Sequence, residues 1–151
     1  MTRITLDTNI LFYAFDARDA AKQARAIEII AAAAVVDCTL GLQVIGEFYV
    51  AVVRKLKVAP AFARDQAKSL LATFNSFAAT ATAHRVAAEE AAAGTFSYWD
   101  AVLLASAAQS GCTVLISEDM ANGARLGTIT ICNPFTPDGL SDAAREALGI
   151  A

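Results

Sequence analysis

The sequence predicts an α/β domain with a parallel sheet of about five strands and helices on both faces. Short apolar runs alternate along the chain with longer segments that carry apolar residues at helical spacing. The length of 151 residues suits one domain with a sizeable core. Hydrophobic residues make up 56% and charged residues 18%, as in packed globular proteins. We therefore expect a single domain over residues 1–151.

The predicted elements alternate between strand and helix. A short strand at residues 4–6 opens the chain, and Pro60 suits the first turn of a later helix. Gly94 and Gly111 are placed to end two further helices. The predicted strands are 4–6, 37–41, 76–80, 112–116 and 128–132. The predicted helices are 8–15, 20–34, 43–56, 60–74, 83–93 and 98–109, with a short terminal helix after residue 138.

Four acidic residues are expected at one edge of this sheet. Strands separated by helices imply right-handed crossovers and parallel strands, and ligands bind beyond the carboxyl ends of such strands. Asp7 directly follows the first strand, and Asp119 follows the 112–116 strand by three residues. Asp100 lies in the first turn of one helix, and Glu47 lies in the first half of another. Both of these helices start at the same edge, so the four carboxylates can converge there.

Each acid also has a purely structural explanation. Asp7 can cap the helix that begins after it, and Asp119 can be a turn residue. Asp100 can complete a capping box with Ser97. Glu47 is harder to explain in this way, because it interrupts an apolar stretch. It is the joint placement of the four acids at one edge that favours a functional interpretation.

Clustered carboxylates repel one another, and this repulsion raises their pKa values unless a cation compensates. The sequence places no obvious basic partner beside each acid. A divalent cation is therefore the simplest compensation, and oxygen ligands suit Mg²⁺ or Mn²⁺. Such a cation can support in-line hydrolysis of a phosphodiester.

Four short motifs surround these acids. They are Leu6-Asp7-Thr8-Asn9-Ile10-Leu11, Glu47, Ser97-Tyr98-Trp99-Asp100-Ala101 and Ser117-Glu118-Asp119-Met120, with Asn133-Pro134-Phe135 after the last strand. In this order they resemble the motifs of the PIN-domain nucleases, and most closely those of the VapC type, the toxins of bacterial toxin–antitoxin pairs. The resemblance spans residues 2–135 and leaves 136–151 as a C-terminal tail.

The resemblance implies a PIN-like three-layer fold and a Mg²⁺- or Mn²⁺-dependent endoribonuclease that acts as a toxin. Asp7 and Asp100 match positions that suggest direct metal ligands. Glu47 and Asp119 match positions that bind a second ion or orient water. Three neighbouring polar residues are expected to support the site: Thr8, Asn9 and Ser117.

The resemblance further implies an RNA substrate, a cognate antitoxin and a homodimer. Three dispersed cysteines without Cys-x-x-Cys spacing suggest free thiols in a reducing compartment, which favours the cytoplasm. Asp7 interrupts the first apolar stretch, so no signal peptide is expected. The longest uncharged run, residues 101–117, is too short and too polar to suggest a membrane span.

A net charge of −3 does not favour sequence-independent binding of nucleic acid by overall charge, so RNA would need a local basic patch. Arg54 follows Glu47 by seven residues, on nearly the same helix face and about 10 Å away. It is a candidate to hold an RNA phosphate. The alternative is a solvated basic cluster with Lys55 and Lys57.

Two other functions remain open from the sequence. A phosphatase of the haloacid dehalogenase type needs a second aspartate two residues after its nucleophile, and this chain has Asn9 there. A catalytically silent PIN-like binding module is the other alternative. Many relatives carry a further acid or a histidine just after the last motif acid. Asn122 stands there in this chain, which weighs against a strong second metal site.

Overall fold

The structure is a computed structural model that describes residues 2–151. Strands and helices alternate through most of this range. The strands are β1 Ile4–Leu6, β2 Thr39–Gly41, β3 Asn75–Phe77, β4 Val114–Ile116, β5 Arg125–Leu126, β6 Ile129–Cys132, β7 Phe135–Thr136 and β8 Gly139–Leu140. The helices are α1 Thr8–Tyr13, α2 Ala20–Ala33, α3 Leu42–Lys55, α4 Pro60–Thr73, α5 Ala81–Ala93, α6 Tyr98–Gln109 and α7 Asp142–Leu148.

The central sheet is parallel except at one edge. β4 lies between β1 and β6, with Leu6 opposite Ile116 and Ile116 opposite Cys132. A parallel bridge between Ile4 and Cys38 places β2 beside β1, and β3 pairs in parallel with β2. The spatial order is therefore β3-β2-β1-β4-β6, with β5 antiparallel at the outer edge. Five parallel strands confirm the predicted fold class.

The helices fall into two groups around this sheet. α5 packs on α6, whereas α1 packs on α2 and α3, and α3 packs on α4. The strands β1 and β4 are buried almost throughout, as expected for parallel strands covered on both faces. The helix α6 is buried continuously from Ala101 to Ala107, which explains its nearly uniform apolar sequence.

Some predicted boundaries were wrong, and three short strands were not predicted. The strand expected at 76–80 lies at Asn75–Phe77, because Phe74 leaves α4 in an extended backbone conformation and is buried. The strands β5, β7 and β8 belong to small hairpins that were not predicted. The terminal helix starts only at Asp142, after the second of these hairpins.

The three cysteines are free, as predicted, and all three are buried. Among residues 2–151, no helix combines the length and the apolar character that a membrane crossing requires.

Candidate active site

Backbone hydrogen bonds hold Asp7 and Ser117, which lies two residues before Asp119, at the carboxyl edge of the sheet. The Asp7 N–H donates to the Ile116 carbonyl at 2.9 Å, and the Ser117 N–H donates to the Cys132 carbonyl at 3.0 Å. These bonds continue the strand pairing by one residue beyond β1 and β4. They place Asp7 beside Ser117 and bring Asp119 to the same edge.

All four acids line one cleft of about 1170 Å³. Asp7 comes from the start of α1, Glu47 from α3, Asp100 from the first turn of α6, and Asp119 from the loop after β4. The structure thus brings together the four carboxylates that the sequence placed at this edge. Thr8 and Asn9 also line the cleft.

The side-chain amide of Asn9 bridges two of these acids. Its Nδ2 lies 3.1 Å from Asp7 Oδ2, 3.2 Å from Asp119 Oδ2 and 3.2 Å from Ser117 Oγ. Its Oδ1 accepts a hydrogen bond from the Glu118 N–H at 3.2 Å. Asn9 therefore fixes the spacing between two carboxylates with donors that neither carboxylate can supply.

Asp7 is both a helix cap and the most enclosed acid of the cleft. Its Oδ1 accepts from the Thr8 N–H at 2.7 Å, and its Oδ2 accepts from Ser117 Oγ at 2.7 Å. Asp7 therefore caps α1, as its structural explanation required. Its Oδ2 nevertheless faces the other polar groups of the site.

Glu47 is held by two donors from different segments. Thr8 Oγ1 donates to Glu47 Oε2 at 3.0 Å, and Gln43 Nε2 donates to Glu47 Oε1 at 2.8 Å. Gln43 was not among the predicted site residues. Its position four residues before Glu47 on the same helix was the signal that could have identified it.

Asp100 differs from the other acids because its carboxylate has no hydrogen bond within residues 2–151. Ser97 caps α6 by accepting the Asp100 N–H at 3.3 Å. A complete capping box would also have the Ser97 N–H donate to the Asp100 carboxylate, and this hydrogen bond is absent within residues 2–151. The carboxylate remains available to a ligand in the cleft.

The four acids of the cleft have no ion-pair partner within residues 2–151. Burial raises the pKa of Asp7, hydrogen bonds from Ser117 and Thr8 oppose this rise, and the charges of Asp100 and Asp119 add to it. A bound cation would therefore stabilise the ionised cluster.

The donor set fits a hydrated cation better than a closed protein cage. Among residues 2–151, no group of three or more His, Cys, Asp or Glu side chains is close enough to hold a metal ion. Mg²⁺ typically keeps several waters and binds through one or two carboxylates and a substrate phosphate. The open cleft and the unpartnered Asp100 carboxylate are compatible with this mode of binding.

The other end of the cleft is basic. Arg54, Lys55 and Lys57 line it, together with Phe12. Lys55 Nζ lies 5.7 Å from the centre of the Phe12 ring, in the range of a cation–π contact. Arg54 thus shares the cleft with Glu47, as the helix spacing predicted.

Behind the acids, a second polar cluster anchors the loop that carries Asp119. Glu118 Oε1 accepts from Tyr13 Oη at 2.6 Å and from Lys22 Nζ at 2.9 Å. Burial and the neighbouring Glu118 carboxylate raise the pKa of Tyr13 well above its usual range. This cluster was not predicted, because its members are distant in the chain and share no motif.

Asn122 has a structural contact instead of a place in the cleft. Its Oδ1 accepts from the Asn133 N–H at 2.8 Å, which ties the loop after Asp119 to the end of β6. It is not among the residues that line the cleft.

The family follows from a comparison of the whole sequence with known domains. The profile of the PIN domain matches residues 4–121. This is most of the chain and includes all four acids, so the chain belongs to the PIN domain family. No curated protein sequence matches it significantly.

Solved structures support the same fold. A toxin–antitoxin complex from Klebsiella pneumoniae superposes with a TM-score of 0.64 at 19% identity, covering 87% of this chain and 98% of that one. A Mycobacterium tuberculosis structure, VapC20, described as a sarcin–ricin loop cleaving toxin, gives 0.60 at 20% identity, with coverages of 74% and 86%. DNA-bound VapBC from Salmonella typhimurium gives 0.59 at 18% identity, with coverages of 87% and 97%.

Proposed function

We propose that this chain is a divalent-metal-dependent endoribonuclease and the toxin component of a toxin–antitoxin pair. The observation that carries the proposal is the convergence of Asp7, Glu47, Asp100 and Asp119 in one cleft of a PIN domain. Similar solved structures, which include a sarcin–ricin loop cleaving toxin and toxin–antitoxin complexes, support the same assignment. Membership of the PIN family leaves the haloacid dehalogenase alternative without support.

We assign the metal to Asp7 and Asp100, as Mg²⁺ or Mn²⁺. When bound, the ion would polarise a phosphoryl oxygen and lower the pKa of a water molecule. Asp7 is oriented for this role by Ser117 and Asn9, whose hydrogen bonds leave it little rotational freedom. Asp100 supplies a carboxylate that has no competing partner in the described part of the chain.

Glu47 and Asp119 are assigned to the attacking water or to a second ion. Glu47 is held by Thr8 and Gln43, and Asp119 is held by Asn9. In the proposed reaction, water attacks phosphorus in line, the bond to the leaving oxygen breaks, and that oxygen takes up a proton. Fixed carboxylates favour such a step, because they orient the reactants before the chemistry begins.

The experiment is cleavage of a panel of structured RNAs, including a sarcin–ricin loop, by purified protein with Mg²⁺, Mn²⁺ or chelator. Cleavage should require the metal and should fall by about 100-fold or more in Asp7→Asn and in Asp100→Asn. Glu89→Gln is the matched control, since Glu89 is an exposed acid on α5, outside the cleft. It should cleave at the wild-type rate.

The silent binding module is the competing function. Folded wild-type protein that cleaves none of the RNAs with either metal would favour it over the nuclease. Equal cleavage by the wild type and both cleft variants would show instead that the four acids do not form the active site.

The same proposal includes a cognate antitoxin and a homodimer. Similar solved structures are toxin–antitoxin complexes, and several large apolar side chains of this chain are exposed, among them Val35 and Ile27. Expression of the chain alone should slow the growth of a bacterial host, and Asp100→Asn should not. Normal growth with abundant soluble wild-type protein would contradict the toxin assignment. Light scattering of the purified protein tests the dimer.

A further inference from the structure

The cleft has an acidic end and a basic end. Its acidic end contains the four carboxylates, and its other end contains three exposed cations, which we call the basic tract: Arg54, Lys55 and Lys57. None of the ion pairs in residues 2–151 includes a member of this tract. The three positive charges are therefore available to a ligand that enters the cleft.

Two members of the tract have an ordinary structural explanation. Arg54 and Lys55 lie in the last turn of α3, where cations interact favourably with the helix dipole. Lys55 also lies over the Phe12 ring, which holds its side chain at the cleft wall. The dipole alone could account for these two residues, so they do not by themselves indicate a ligand.

Lys57 does not share this explanation. It lies two residues beyond the end of α3, and its φ of 57° is in the left-handed region. Within residues 2–151 it is the only non-glycine residue with positive φ. Glycine or asparagine usually occupies this position after a helix, because side chains with a Cβ are disfavoured there. A lysine at such a position is unfavourable for the backbone, yet Lys57 is one of the residues that line the cleft.

We propose that the basic tract is a subsite for the phosphates of a single RNA strand, and that Lys57 is retained at an unfavourable backbone position for this purpose. The identity of the polyanion as RNA rests on the proposed nuclease function. Arg54 lies about 10 Å along the helix from Glu47. The tract therefore contacts a part of the strand that lies beyond the scissile phosphate.

The subsite makes the enzyme specific for a strand that extends beyond the cleaved bond. Phosphate contacts carry no base sequence, so the tract sets the register of the strand and contributes affinity. A substrate shortened on the tract side should bind more weakly and remain cleavable at the same bond.

Lys57→Asn separates this role from a structural one. Asparagine tolerates the left-handed conformation, so the variant keeps the turn and removes only the charge. Its Tm should equal or exceed that of the wild type. Lys57→Arg should preserve binding. Lys68→Gln is the matched control, because Lys68 is an exposed lysine on α4 that does not line the cleft.

The measurement is the affinity for a labelled single-stranded RNA of about 12 nucleotides, in chelator, as a function of salt. Each phosphate contact contributes about 0.7 to the slope of log affinity against log salt. Lys57→Asn should therefore lower the slope by about 0.7 and the affinity by about fivefold at about 0.1 M salt. Neutralising all three residues should lower the slope by about 2 and the affinity by about 100-fold.

The outcomes separate this inference from the proposed function. Wild-type affinity and slope in Lys57→Asn, or an equal loss in Lys68→Gln, would overturn the subsite even if the protein cleaves RNA. The expected losses without cleavage under any metal would support the subsite and contradict the nuclease. Absence of RNA binding by folded wild-type protein would overturn the subsite.

Discussion

Replacing Asn9 by aspartate tests whether this amide holds apart the charges of Asp7 and Asp119. The change preserves the shape of the side chain. It replaces the Nδ2 group, which lies 3.1 Å from Asp7 Oδ2 and 3.2 Å from Asp119 Oδ2, by an oxygen. Three carboxylates would then face one another at a position that is 8% exposed. We expect Asn9→Asp to destabilise the fold when no divalent cation is present.

The magnitude follows from the two lost N–H donors. A hydrogen bond to a charged group contributes about 1.5–3 kcal/mol to stability. Taking the lower value for each donor gives a loss of about 3 kcal/mol in the free energy of unfolding at about pH 7. Burial and the neighbouring negative charges raise the pKa of the new carboxyl in the folded state. The loss should therefore shrink as pH falls and the carboxyl takes up a proton that it can donate again.

Urea unfolding in chelator, followed by circular dichroism at about pH 5 and about pH 7, measures this effect. Asn122→Asp is the matched control, because Asn122 acts only as an acceptor for the Asn133 N–H. It should change stability by less than about 0.5 kcal/mol. Wild-type stability of Asn9→Asp at about pH 7, or an equal loss at both pH values, would refute the argument.

Three further predictions concern stability. In chelator, the free energy of unfolding of the wild type should decrease as pH rises from 3.8 through the raised pKa of Asp7, because only the native state retains that proton in this range. Urea titrations should show a smaller decrease for Asp7→Asn. The same pH profile in the wild type and in Asp7→Asn would contradict this prediction. Tyr13→Phe should lower the free energy of unfolding by about 1–2 kcal/mol, because it removes a hydrogen bond to the partly exposed Glu118. A double-mutant cycle with Glu118→Gln should show energetic coupling between the two residues. Additive losses would contradict this contact. Phe48→Ala should cost about 3–5 kcal/mol, because Phe48 is fully buried; calorimetry showing less than about 1 kcal/mol would contradict the assigned core.

The positions of the four acids could be predicted because each depends on a local rule. A parallel strand that ends at Leu6 must place Asp7 at the carboxyl edge, and helical periodicity places Glu47 near the start of α3. The helix α6 starts and ends where predicted, since Ser97 caps it and Gly111 follows it. Strong local signals therefore gave the fold class and the cleft.

The bridging contacts could not be predicted in the same way. Glu118 meets Tyr13 and Lys22 only after β4 has paired with β1, and no spacing in the chain encodes that contact. The hydrogen bond from the Asn9 amide to Asp119 depends on the same strand pairing. These contacts require tertiary structure, which motif spacing does not contain.

The small hairpins were missed for a different reason. β5 has two residues, which is too short for an alternating pattern to be recognised. The two-residue turn between Leu126 and Ile129 did carry a signal, since Gly127 at its first position has a φ of 59°. A search for glycine-led turns between apolar residues would have identified this hairpin.

The most direct test of the central claim is whether the cleft acids act as one catalytic unit. We would measure the rate of RNA cleavage with Mn²⁺ for the wild type, Asp7→Asn, Asp100→Asn and the double variant. Residues that act as a unit show strongly non-additive losses, so the double variant should be about as slow as the slower single variant. Losses that multiply would indicate independent roles, and wild-type rates in both single variants would contradict the assigned site.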